Sequence, residues 1–120
     1  MNNKVFGRKG EQLAALYLKS LRYHIIEHNW RYQHLEVDLI ALDEEELVFI
    51  EVKTRKNELH GNPEHAISLA KKNHLVRAAE FYLEQSNSNR ELRFDFVSVI
   101  HNEEFTNIEH FKDAFWLGVY

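Results

Sequence analysis

Asp38, Glu51 and Lys53 interrupt two of the most apolar stretches of the chain, EVDLIAL (residues 36–42) and LVFIEVK (residues 47–53). In an extended strand, side chains two positions apart share a face. Glu36 therefore lies with Asp38, and Glu51 with Lys53. The acidic run Asp43-Glu44-Glu45-Glu46 separates the two stretches and reads as a solvated turn. A hairpin closed there brings Asp38 toward Glu51. Removing an unpaired charge from water is expensive, and neighbours such as Leu39, Ile40, Phe49 and Ile50 offer it no partner. A divalent cation is one compensation. Mg²⁺ takes carboxylate oxygens and keeps several waters, one of which can attack a phosphodiester. A lysine beside it can orient that water and stabilise charge on the phosphate. The plain alternative is an ion pair between Lys53 and one of the two acids.

Other residues can join such a site. Glu11 precedes Ala14, Ala15 and Leu18 at helical spacing, so it borders an apolar stripe. It can turn inward to a metal or its waters, or remain an exposed glutamate favoured by the helix dipole. The stripe Ile67, Lys71, Leu75, Ala78, Tyr82 is apolar except at Lys71. Its stem can lie on the core while its head reaches a site at the rim, or simply reaches water. Arg31, Arg55 and Lys56 are candidates for phosphate contact, with Lys56 the most readily explained as surface charge. The histidines show no ligand pair on one helix face, and none is assigned to a metal. No P-loop, GxGxxG or GxSxG pattern is present.

Stepwise periodicity supplies the elements that position these residues. A helix is expected from about Gly7 to Leu21, with Leu13, Ala14, Tyr17, Leu18 and Leu21 on one face. Residues 23–32 read as a strand, followed by the two hairpin strands. The near-continuous apolar character of the hairpin implies cover on both faces. Gly61 and Pro63 mark a loop, and Glu64 to about Gln85 reads as a second helix with Pro63 near its first turn. Arg93–His101 reads as another strand. The aromatic tail from Phe105 to Tyr120 is expected to add an edge strand or a short packing segment. The order α-β-β-β-α-β predicts an α/β fold with a mixed central sheet flanked by helices.

A chain of 120 residues with 44% hydrophobic residues suits a single folded domain spanning 1–120. The absence of cysteine excludes disulfides, a thiolate zinc site and a cysteine nucleophile. The first residues contain no uninterrupted apolar segment of the secretory kind, and no stretch approaches the ~20 apolar residues of a membrane span. The expectation is a cytoplasmic protein with no membrane partner. The net charge of −4 counts against a protein that coats nucleic acid. Local basic clusters at Lys4, Arg8 and Lys9, at Lys53, Arg55 and Lys56, and at Lys71, Lys72 and Arg77 point the other way.

Glutamate on the first helix, aspartate on a strand and ExK on the next resembles the PD-(D/E)xK restriction-endonuclease-like superfamily. More narrowly, the chain resembles the uncharacterised bacterial YraN family of predicted nucleases, related to archaeal Holliday-junction resolvases. The segments that carry this are GRKGEQLAALYL (residues 7–18), NWRYQHLEVDLIAL (29–42), LVFIEVKTR (47–55), HGNPEHAISLAKKNHLVRAAEFYL (60–83) and RFDFVSVI (93–100). FIEVKTR with the upstream EVDLIA is the most specific. The resemblance implies a restriction-endonuclease-like fold, and a hydrolytic Mg²⁺ (or Mn²⁺) site built from Glu11, Asp38, Glu51 and Lys53, with Lys71 matching a supporting lysine. It implies DNA as partner and allows a homodimer. Two departures stand out: Leu35 occupies a position usually held by glycine, and no proline precedes Asp38.

Three functions fit these features. The first is a Mg²⁺-dependent endonuclease on DNA, branched or damaged, with Asp38 and Glu51 holding the metal and Glu11 assisting through water. The second is a module that binds nucleic acid without cutting it. The third is an interaction or scaffold protein that docks a partner through the aromatic tail. The simpler role for that tail is to cap the protein's own core.

Overall fold

Helix α1 spans Asn3–Ser20 and buries Gly10, Ala14, Ala15 and Leu18; of the expected apolar face, Leu13 and Tyr17 are half-buried, and Leu21 lies beyond the helix end and is exposed. In this computed structural model, residues 3–57 and 67–115 are described. The helix begins before Gly7 because Asn3–Phe6 continue it as an exposed or half-buried first turn. Strands β1 (His24–Tyr32), β2 (Leu35–Asp43) and β3 (Glu46–Arg55) follow. Helix α2 (Leu69–Ser86), β4 (Leu92–His101) and β5 (Thr106–Phe111) complete the order.

The five strands form one sheet in the order β1-β2-β3-β4-β5. All neighbouring pairs are antiparallel except β3 and β4, which run parallel across the α2 connection. The sheet is therefore mixed. Two apolar clusters lie on its two faces. Leu75, Ala78 and Ala79 of α2 pack with Val37, Ile40, Phe49, Phe94 and Phe96. Ala14, Ala15 and Leu18 of α1 pack with Leu39, Ala41, Val48, Ile50, Val97 and Val99. The helices thus cover opposite faces. This is why β2 and β3 carry apolar residues at successive positions rather than at alternate ones.

Helix α2 starts later than its periodicity suggests. Ser68 caps it, its hydroxyl accepting from the Lys71 N–H at 3.1 Å. The expected first turn at Glu64 and the placement of Pro63 lie outside the described residues. Asn87 ends α2 in the left-handed region at φ 52°, a conformation asparagine tolerates, and its N–H reaches the Leu83 carbonyl. In the tail, β5 adds the expected edge strand, and Phe111 and Phe115 stack on Phe96 and Phe94. Trp116 and Tyr120 lie outside the described residues. No helix among the described residues is long and apolar enough to cross a membrane.

The turn after β2 is less solvated than its four acids imply. Arg93, at the start of β4, is only 3% exposed in its side chain and bonds Asp43 at 2.7 Å and Glu46 at 3.0 Å. It also clasps Asp95 through Nε at 2.9 Å and a second nitrogen at 3.0 Å. Asp95 accepts further bonds from the Asp113 N–H at 3.0 Å and the Tyr23 hydroxyl at 3.1 Å, and His110 Nε2 lies 2.7 Å away. Burial opposes ionisation of Asp95, but its hydrogen bonds from His110 and Arg93 hold the carboxyl down at about 2. This network ties the amino-terminal ends of β3 and β4 to β5. It leaves the opposite ends of these strands to the candidate site.

Candidate functional site

The ladder between β2 and β3 runs from Asp43↔Glu46 to Leu39↔Ile50 and stops one step short of Asp38 and Glu51. At this point the alternation of β2 slips. Val37 belongs to the α2 side and Leu39 to the α1 side, while Ile40 is again on the α2 side. Across on β1, the pairs His28↔Leu39 and Trp30↔Val37 bracket Asn29, whose φ is 51°. A left-handed residue inside a strand re-aims its neighbours, and asparagine adopts that conformation more readily than most. The freed Asp38 side chain turns to β3, where Oδ2 accepts the Val52 N–H at 2.8 Å. That bond satisfies a backbone donor beyond the end of the ladder. It also fixes one carboxylate oxygen of a residue only 8% exposed.

Glu51 lies nearby on β3, with its side chain 14% exposed. Burial first, and Asp38 second, push its carboxyl up to about 9, against the pull of Lys71. The Lys71 ammonium stands 3.7 Å from Glu51 Oε2. The other oxygen, Oε1, is buried without a hydrogen-bond partner among the described residues.

Glu11 reaches the same place from α1. The helix comes close because residue 10 is glycine. A Cβ there would stand 1.7 Å from Thr54 Oγ1 and 2.7 Å from Thr54 Cβ. Burial and the Asp38 charge raise the Glu11 carboxyl to about 7, while a hydrogen bond from Asn29 favours its ionised form and the Glu36 charge opposes it. Its Oε1 is also buried without a hydrogen-bond partner among the described residues.

Three elements therefore converge on Asp38: β2 itself, β3 through Glu51 and α1 through Glu11. Helix α2 adds Lys71. Lys53 takes a different place from that of a buried partner. It is exposed, has no ion-pair partner among the described residues, and lines an open groove with Glu11 and Arg55. The ion pair that the sequence offers between Lys53 and Glu51 is made instead by Lys71. Arg31 pairs with Glu36 at 3.4 Å and stays largely exposed. No three carboxylate or imidazole side chains among the described residues are grouped as they stand to hold an ion.

Asn29 and His74 are additions that sequence reasoning did not reach. His74 Nε2 accepts the Glu36 N–H at 3.2 Å, which requires that nitrogen to be unprotonated. Burial, with Lys71 and His34 nearby, holds the His74 pKa below its ordinary value. The available signal for Asn29 was a weak strand former within an aromatic strand. For His74 there was none, because its partner is a backbone group on another element.

Against known proteins, the profile of the uncharacterised protein family UPF0102 matches residues 10–99. The chain belongs to the UPF0102 family. A UPF0102 protein of Chlorobium chlorochromatii is 44% identical, with 92% of this chain and 91% of the relative covered. Relatives in Christiangramia forsetii and Bacteroides thetaiotaomicron are 43% and 42% identical, again over 92% of this chain, and over 92% and 91% of their own lengths. The matched span of the family includes Glu11, Asp38, Glu51, Lys53 and Lys71.

Proposed function

We propose that this UPF0102 chain is a metal-dependent endonuclease of the restriction-endonuclease-like kind, hydrolysing phosphodiester bonds of branched or damaged DNA. One observation carries the reading. Glu11 from α1 and Glu51 from β3 each feel the charge of Asp38, and each holds a buried oxygen without a hydrogen-bond partner among the described residues. A purely structural charge network would be expected to satisfy those atoms, as the Arg93–Asp95 network does. Carboxylate oxygens lacking donors fit a hard divalent cation such as Mg²⁺ or Mn²⁺.

Asp38 and Glu51 would hold the ion directly, and Glu11 would act through a water. When bound, the ion supplies Lewis-acid polarisation of the phosphate and a more acidic water. Asp38 is pre-oriented by Val52. Glu11, poised near neutrality, can accept a proton from an attacking water at its Oε1. Lys53, at the groove edge, would stabilise charge developing on the phosphate. Lys71, 3.7 Å from Glu51 Oε2, favours loss of the proton that an arriving ion would displace. Arg31 and Arg55 would take flanking phosphates.

The test is cleavage of linear and four-way-junction DNA in Mg²⁺ or Mn²⁺ by wild type, Asp38→Ala and Glu51→Ala. Cleavage by wild type, lost in both variants while both remain folded, supports the reading. Undiminished cleavage by either variant refutes it. The Lys71–Glu51 ion pair favours a second reading, a module that binds DNA without cutting, since it partners one oxygen of the acid without a metal. That reading predicts salt-sensitive binding with no products.

A further inference from the structure

The groove beside Glu11 brings three cations, Lys53, Arg55 and Lys56, to one side of the candidate site. It holds about 800 Å³ between the first two turns of α1 and the carboxyl-terminal end of β3. Asn3, Phe6, Lys53, Arg55 and Lys56 line it, with Glu11 beside them. The first turn of α1 contains no acid, so nothing there offsets its positive end. The exposed Lys4, Arg8 and Lys9 add to that field. The chain is acidic overall, so this concentration of positive charge is local.

The groove also carries an aromatic surface. The Lys56 ammonium stands 5.7 Å from the centre of the half-buried Phe6 ring. The His101 ring stacks near Phe6 at 6.4 Å and 24°. Asn102 secures this corner. Its Nδ2 donates to the Lys56 carbonyl at 2.9 Å, and its Oδ1 accepts the Glu104 and Phe105 N–H groups at 2.8 and 3.0 Å. The loops after β3 and β4 are thereby joined around Phe6. A ring set among cations in an open groove suits an unpaired strand. Phosphates follow the cations, and a base stacks on the ring. In a duplex the base faces are already stacked and cannot reach it.

We propose that this groove binds a single-stranded nucleic-acid segment leading to the carboxylates, with one base stacked on Phe6 after Lys56 swings to a phosphate. The proposal rests on the nuclease reading for its direction of travel. It extends that reading by naming an unpaired strand as the recognised feature.

Fluorescence anisotropy of the full chain in EDTA tests it, using oligothymidylate and a hairpin duplex of equal length. Wild type should bind the single strand more tightly than the duplex. Phe6→Leu, which keeps an apolar side chain, should weaken single-strand binding by about five-fold or more and leave duplex binding unchanged. Lys56→Gln, an exposed change that spares the core, should weaken binding and lower the salt slope by about one or less. Equal or tighter duplex binding would overturn the proposal. So would unaltered single-strand binding in Phe6→Leu and Lys56→Gln variants that melt like wild type. Because no metal is present, the groove is tested even in a protein that never cuts DNA. Loss of groove binding, in turn, leaves the metal test to judge the nuclease reading.

Discussion

Replacing Glu51 by glutamine should stabilise the metal-free protein at neutral pH and leave it unchanged in acid. In the unfolded chain this carboxyl has its ordinary pKa of 4.5, whereas the fold raises it to about 9. The folded protein must therefore take up a proton between those limits, and stability falls as pH rises through that window. Each pH unit above 4.5 costs ~1.4 kcal/mol, which makes ~3 kcal/mol near pH 7. Relaxation and entry of water into the site reduce this to ~1–3 kcal/mol. Glutamine has no proton to take up and avoids the cost. In a domain of this size, ~1 kcal/mol moves Tm by ~4 °C, so Glu51→Gln should melt ~4–12 °C higher in EDTA at neutral pH. Thermal melts followed by circular dichroism at neutral pH and near pH 4.5 measure the difference. An unchanged or lower Tm at neutral pH, or the same gain at both pH values, would refute the argument that Glu51 is a strained, buried acid.

Two further variants probe what positions the site. Gly10→Ala forces a methyl into Thr54 and should cost ~1–3 kcal/mol, with Thr54→Gly in the same chain restoring part of it; denaturant titration of the single and double variants decides. Asp95→Ala removes the carboxylate that buried Arg93 holds through two nitrogens and should cost ~3–5 kcal/mol in the same assay. The depressed pKa of Asp95 gives the wild type stability that is present above pH 3.8 and lost as pH falls toward about 2. The Asp95→Ala variant should lack that acid transition.

The helices and strands were readable because their signals are local. Ala14, Ala15 and Leu18 recur at helical spacing, and the apolar runs of β2 and β3 imply cover from two sides. The ExK spacing and the stripe broken by Lys71 singled out Glu51 and Lys71, two side chains that meet in the structure. Which lysine meets Glu51 was not readable. That depends on where α2 lies over β3, and strand periodicity places Lys53 equally well. The slip at Asp38 was hidden for a related reason. It depends on a left-handed Asn29 on the neighbouring strand, and such coupling has no period. The Arg93 network was also hidden, because its members are scattered along the chain and the acids near Asp43 look solvated in isolation.

Calorimetric titration of Mn²⁺ into wild type and Asp38→Ala near pH 7 tests the central claim most directly. Wild type should bind the ion and release protons, seen as a heat that depends on the buffer, because Glu51 and part of Glu11 are protonated beforehand. Asp38→Ala should give no binding while keeping its fold. No binding by wild type, or equal binding by both proteins, would contradict a metal site at Asp38.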